Sequence, residues 1–335
     1  MSSVPVLWLV IPCYNEEEVL PYTAPEFLKH LEKLTDDKKI SEESKILFVD
    51  DGSSDRTWKI ITDLSERDSR YKGIRQSRNR GHQNALLAGL MEAIDKCDIT
   101  ISADCDGQDD LNVMGEMVDA YKDGCEIVYG VRACRQTDTW FKRNSARAFY
   151  KLMNRMGANV VFDHADYRLV SNKVLKSFSC FTEVNVFLRG IFPLVGYKST
   201  SVYYERRPRK AGKTHYSIKK MIEFSLDGIF NLSTKPLHII VFLGATISLF
   251  GAIGVIWMIV ANMSGKTMAG SASLAWVAFF MGGVQIFCTG IIGEYVGRTY
   301  LETKRRPRYI ISERTGEELG DELSDSPDSS KSGKS

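Results

Sequence analysis

The chain has 335 residues, 26 % of them charged and 44 % hydrophobic, with a formal net charge of +2. That length suits one large α/β domain plus a further element, and near-neutral charge offers no basic field for a nucleic-acid partner. The averages hide two uncharged runs that no soluble domain needs.

In chain order, VPVLWLVIP reads as a strand and EVLPYTAPEFLKHLEKL as a helix with a proline-disturbed start. KILFVDD, GIRQSR, DITISAD and EIVYGV read as further strands, with helices over TWKIITDLSERD, HQNALLAGLMEAID and LNVMGEMVDAYKDG. Apolar strands alternating with amphipathic helices predict a mostly parallel α/β sheet with helices on both faces. Ligands of such sheets bind beyond the carboxyl ends of the strands. The N-terminal apolar run lacks a basic leader and meets Pro12 and Glu16 at once, so it is read as a buried strand and not a signal peptide.

Basic residues recur at Arg143, Arg147, Lys151 and Arg155. This segment is read either as an ordinary surface helix or as one lying on lipid headgroups; YSIKKMIEFSLDGIFNL is assigned to the interface. From Leu237 to Gly265, and again from Thr267 to Gly293, there is no Asp, Glu, Lys or Arg. Each run exceeds the ~20 residues that cross a bilayer, so a two-helix transmembrane hairpin is expected. Lys219, Lys220 and Lys235 precede it and Arg298, Lys304, Arg305, Arg306 and Arg308 follow it, against Lys266 alone in the linker. Both ends and the large domain are therefore assigned to the cytosol. Glu294 is expected to pair with Arg298, one helical turn on. The seven cysteines are scattered without a CxxC pair, as suits reduced thiols.

Acidic and polar residues gather at three strand ends: Pro12-Cys13-Tyr14-Asn15-Glu16, Asp50-Asp51-Gly52-Ser53-Ser54-Asp55 and Asp104-Cys105-Asp106-Gly107-Gln108. Gathered carboxylates repel unless a cation sits among them, and oxygen donors suit Mg²⁺ or Mn²⁺, not zinc. There is no GxGxxG after the first strand and no GxxxxGK[ST], which excludes dinucleotide-binding and P-loop readings.

The ordered motifs VIPCYNEEE, VDDGSSD, SRNRGHQNALLAGL, DCDGQDD, YGVR, DYRLV, FLRG, YERRPRKAGKTHY and IIGEYVGRTY resemble family-2, GT-A-type glycosyltransferases. Within them the chain is similar to polyprenyl-phosphate glycosyltransferases of the bactoprenol glucosyltransferase and dolichyl-phosphate mannose synthase types. Patterning and resemblance together give the expected division: a GT-A catalytic domain over 1–213, an interfacial helix over 214–236, the transmembrane hairpin over 237–298 and a cytosolic segment over 299–335, disordered after about 313.

The resemblance also implies site roles. Pro12, Tyr14, Asn15, Glu16, Asp50, Asp51, Asp104, Cys105, Asp106 and Arg206 would bind the nucleotide-sugar, and Asp106 with Gln108 would ligate the metal. Arg132, Arg143 and Arg147 would face the acceptor phosphate, with Asp104, Asp106, Asp166 and Arg132 as catalytic residues. Arg209, His215 and Tyr216 match the segment that closes over the diphosphate, and Asp166 with Arg168 matches D-[FY]-R. Cys105 and Gly107 depart from the usual D-A-D-L-Q, and His215 stands where lysine is common. The implied reaction is inverting transfer of a sugar to polyprenyl phosphate at the plasma membrane. UDP-glucose is the expected donor, with GDP-mannose or a UDP-N-acetylhexosamine as alternatives, and a homo-oligomer of unspecified size is expected. A processive synthase is disfavoured by the missing Q-x-x-R-W, and a silent membrane scaffold by the intact acidic rim.

Overall fold

The computed structural model describes residues 4–132, 164–184, 187–205, 234–263 and 271–316. The strands are β1 (Leu7–Cys13), β2 (Lys45–Asp50), β3 (Tyr71–Gln76), β4 (Ile99–Ser102), β5 (Ile127–Arg132), β6 (His164–Ser171), β7 (Ser199–Tyr204) and β8 (Ile311–Arg314). Helices are α1 (Leu20–Asp36), α2 (Thr57–Arg67), α3 (His82–Glu92), α4 (Met114–Lys122), α5 (Asn172–Ser179), α6 (Leu188–Leu194), α7 (Lys235–Met263) and α8 (Ser271–Lys304).

All eight strands form one sheet in the order β7-β5-β6-β4-β1-β2-β3-β8. The expectation of a mostly parallel sheet is corrected to a mixed one. β4-β1-β2-β3 run parallel, as does β5-β7, while β6 pairs antiparallel with both β4 and β5 and β8 antiparallel with β3. β6 is antiparallel to both of its neighbours, so the right-handed rule for parallel crossovers does not apply to its pairings.

Alternate strand residues feed two cores, because successive side chains point to opposite faces. Leu7, Leu9, Ile11, Ile46, Phe48, Ile99 and Ile101 pack with Phe27 and Leu31 of α1, Ile61 of α2 and Met117 of α4. Trp8, Val10, Leu47, Val49, Ile127 and Val170 pack with Leu86 and Leu90 of α3, Phe178 of α5 and Phe192 of α6. Every residue of β1 is buried, as a strand covered on both faces requires.

Gly89 lets α3 sit close to the sheet. A Cβ there would fall 2.4 Å from Val10 Cγ1 and 2.7 Å from Val49 Cγ2. Gly→Ala inside a helix ordinarily stabilises by roughly 1 kcal/mol, whereas forcing a methyl into a filled core costs about 1–3 kcal/mol. Gly89→Ala is therefore expected to lower the thermal unfolding midpoint by several degrees. A rise in the midpoint would show that α3 retreats freely.

α7 and α8 span 29 and 34 residues. Among the described residues no helix is long and apolar enough to cross a membrane. Several side chains of both helices, those of Trp257 and Trp276 among them, lie outside the described set. α8 continues to Lys304, past the expected end at 298, and carries the expected Glu294–Arg298 pair at 2.8 Å. The interfacial segment 214–233 also lies outside the described residues. β8, in a stretch to which the sequence assigned no element, joins the same sheet at its β3 edge.

Candidate active site

The carboxyl ends of β1, β2 and β4 lie side by side, because those strands are parallel neighbours. The loop after β1 is clamped to the loop after β2. Asn15 N–H donates to Ser53 Oγ (3.0 Å), Ser54 N–H to Asn15 Oδ1 (3.0 Å) and Glu16 N–H to Thr57 Oγ1 (2.9 Å). Asn15 takes the left-handed conformation (φ 53°) that such a turn demands and that Asn tolerates. Gly52 also has positive φ (66°), and its Cα faces the backbone of Arg78 so closely that a Cβ would fall 2.5 Å away. Tyr14 is 47 % exposed beside this clamp.

Asp50 and Asp51 are buried. Asp50 accepts from Ser53 N–H (3.2 Å) and pairs with Arg75 Nε (3.2 Å). Asp51 accepts from the N–H groups of Arg80 (2.8 Å) and Gly81 (2.9 Å), tying β2 to the start of α3. Burial raises the pKa of both, against the hydrogen bonds that lower it. Both carboxylates thus hold the loops that frame the rim.

The DxD loop follows β4. Asp104 is partly exposed, Asp106 and Cys105 are buried, and Gly107 takes a positive φ of 66°. Asp106 Oδ1 accepts from Gln108 N–H (3.0 Å). Cys105 lies beside Cys13 of β1, whose thiol burial pushes well up. Asp109, also buried, accepts from Asp104 N–H (3.2 Å) and Tyr204 O–H (2.6 Å). Its pKa is pushed up to about 6, by burial first and then by the Asp104 charge. Arg132 Nε donates to the Tyr204 hydroxyl (3.5 Å), which places it on the Asp109 side of this loop.

Asp166 and Arg168 lie on the face of β6 that meets α3 and α6. Asp166 Oδ1 accepts from Arg168 (2.6 Å) and Arg189 Nε (3.2 Å), and Oδ2 from Arg189 (3.0 Å) with His82 Nε2 at 3.4 Å. The Arg168 guanidinium is fully buried over the Phe192 ring, 4.8 Å from its centroid. Burial opposes ionisation of Asp166, but Arg189, His82 and Arg168 outweigh it and hold the carboxyl well below its usual range.

His82 opens α3 and bridges Asp166 to Asp104, whose Oδ1 is 3.8 Å from Nε2. Its side chain is 43 % exposed, and the Asp166 hydrogen bond and the Asp104 charge outweigh its partial desolvation and raise its pKa. His82 is therefore expected to titrate above the ~6.5 of an ordinary histidine. With the folded value raised, its stabilisation is complete below ~6.5 and lost as pH rises through the folded pKa. Histidine C–H resonances, with His82→Gln for assignment, measure this; a midpoint below ~6.5 would refute the pairing.

The structure thus gathers Pro12, Tyr14, Asn15, Glu16, Asp50, Asp51, Asp104, Cys105, Asp106, Gln108, Arg132 and Asp166 around one sheet edge. Arg143, Arg147, Arg206, Arg209, His215 and Tyr216 lie outside the described residues. Among the described residues, no group of three or more His, Cys, Asp or Glu is disposed to hold a metal ion. The oxygen donors of Asp106 and Gln108 have the chemistry that Mg²⁺ or Mn²⁺ prefers. His82, Asp109, Arg189 and Tyr204 were not singled out from sequence; all sit in or near motifs, but only their distances distinguish them.

The family model described as Glycosyl transferase family 2 matches residues 8–178. The chain belongs to this family. It is 46 % identical to the uncharacterized glycosyltransferase YkoT of Bacillus subtilis, over 92 % of each chain. It is 37 % identical to the prophage bactoprenol glucosyl transferase homolog of Escherichia coli, over 90 % of this chain and 97 % of that one. Identity to the bactoprenol glucosyl transferase of Shigella phage SfX is 36 %, covering 91 % and 98 %. The family-2 motifs read from sequence are therefore those of a transferase.

Proposed function

We propose that this glycosyltransferase moves glucose from UDP-glucose onto undecaprenyl or a related polyprenyl phosphate, with inversion, at the cytosolic face of the plasma membrane. The observation that carries the reading is the acidic rim of Asp104, Asp106 and Gln108, in a chain similar over nine-tenths of its length to proteins named bactoprenol glucosyl transferase. In this reading Pro12, Tyr14, Asn15, Glu16, Asp50, Asp51, Cys105 and Arg206 form the nucleotide side. Asp106 and Gln108 hold Mg²⁺ or Mn²⁺, which neutralises charge on the departing nucleoside diphosphate. Arg132, Arg143 and Arg147 screen the incoming phosphate. That acceptor is already an anion, so no strong general base is required. The Asp166 carboxylate acts through Arg168, Arg189 and His82 and keeps the rim in shape.

A polyprenyl acceptor is confined to lipid, so the rim must work beside a bilayer. We assign α7 and α8 to a hairpin in that bilayer. The uncharged runs over 237–265 and 267–293 support it, each longer than the ~20 residues that cross a hydrocarbon core. Outward-facing Phe242 (75 %), Ile286 (75 %) and Phe287 (65 %) are costly in water and favourable in lipid.

Purified protein in detergent is expected to transfer labelled glucose from UDP-glucose to undecaprenyl phosphate, to lose this with EDTA and to regain it with Mg²⁺ or Mn²⁺. A product of retained anomeric configuration would refute the single displacement. Transfer only from another nucleotide-sugar would correct the donor, and none from any donor would remove the transferase assignment.

A further inference from the structure

We propose that Glu313, on the strand that follows the last long helix, is a positioning residue for the donor nucleotide. The proposal rests on the transferase reading above and extends it to a residue far from the strand-end rim in sequence.

β8 pairs antiparallel with β3 so that Glu313 stands directly opposite Arg75, where the register shifts by a bulge. Both carboxylate oxygens are engaged. Arg75 donates to Oε1 (2.8 Å) and Trp58 Nε1–H of α2 to Oε2 (2.9 Å). The rest of the Arg75 guanidinium faces the rim: Nε pairs with Asp50 Oδ2 (3.2 Å) and a terminal nitrogen donates to the Ser53 carbonyl (3.3 Å). Ser53 in turn accepts the Asn15 N–H. A continuous chain of charged and polar contacts therefore runs from Glu313 through Arg75 to Asp50, Ser53 and Asn15, of which Asp50 and Asn15 belong to the proposed nucleotide side.

The physical need for Glu313 follows from Asp50. Its side chain is wholly buried, and Arg75 is the cation beside it. Arginine has many rotamers, and an Arg75 without an anchor on its outer side is free to swing toward solvent. The Asp50–Ser53 turn would then lose its fixed shape, and with it the pre-organised cradle for base and ribose. β8 itself is delivered by the segment leaving α8, which Arg308 pins to the Phe181 carbonyl (2.8 Å) and Glu302 to the Val184 N–H (2.8 Å). Donor affinity thus depends on a residue held in place by the end of α8.

The test is UDP binding to the full chain in detergent with Mg²⁺, by titration calorimetry, for wild type, Glu313→Ala and Thr315→Val. Thr315 Oγ1 accepts the Gly73 N–H (2.9 Å), so its loss weakens the same strand without touching Arg75. Glu313→Ala is expected to weaken UDP about tenfold and to raise the donor KM similarly while kcat stays within about twofold. Thr315→Val is expected to bind UDP within about twofold of wild type, and Glu313→Gln, which keeps an acceptor, to fall between. Unchanged UDP affinity in Glu313→Ala, or an equal loss in Thr315→Val, would overturn the proposal. Wild type that binds neither UDP nor GDP would overturn the transferase reading and this inference with it.

Discussion

Asp106→Asn is expected to reduce transfer by about 10²–10³-fold in kcat while the protein folds as before. Asp106 is buried at the carboxyl end of the sheet, and its Oδ1 accepts the Gln108 N–H. Asparagine is isosteric and retains that acceptor, so the loop keeps its shape. What is lost is the negative charge that would bind the divalent ion, and with it stabilisation of charge on the leaving diphosphate. Single-turnover rates with saturating donor, alongside thermal unfolding, measure the two consequences separately. Full activity in Asp106→Asn would remove this residue from the metal site; loss of activity together with fold would make the result structural.

The second large effect concerns stability. Asp166→Asn removes the charge shared by Arg168, Arg189 and His82. The Arg168 guanidinium is fully buried and cannot move to water, so its charge would stand uncompensated. Breaking one partner of such a buried pair costs about 3–5 kcal/mol. For a domain of this size, that corresponds to a fall on the order of 10 °C in the unfolding midpoint. An unchanged midpoint would mean that Arg189 and Arg168 find other partners. Because the Asp166 pKa is depressed, its contribution is present above ~3.9 and lost as pH falls through the lower folded value. The His82 contribution fails in the opposite direction, so the cluster is most stabilising at mildly acidic pH.

The sequence by itself determined β1 to β5 with α1 to α4, and the acidic residues at their strand ends. Strand and helix periodicities are local, and so is the placement of PCYNE, DDGSSD and DCDGQ at the ends of apolar strands. Once the strands are parallel neighbours, those residues must share an edge. The Glu294–Arg298 pair was legible for the same reason, since four residues make one helical turn.

Tertiary structure alone decided which strands pair and in what sense. β6 enters between β4 and β5 through long-range backbone hydrogen bonds, and that antiparallel entry carries Asp166 to His82 on α3 and Arg189 on α6. β8 has four residues, too few for a periodic signal, and gains its identity from the open edge of β3. Glu313 reads as an ordinary charge near a polar tail. Only the pairing of β8 with β3, across 238 positions of chain, sets it against Arg75.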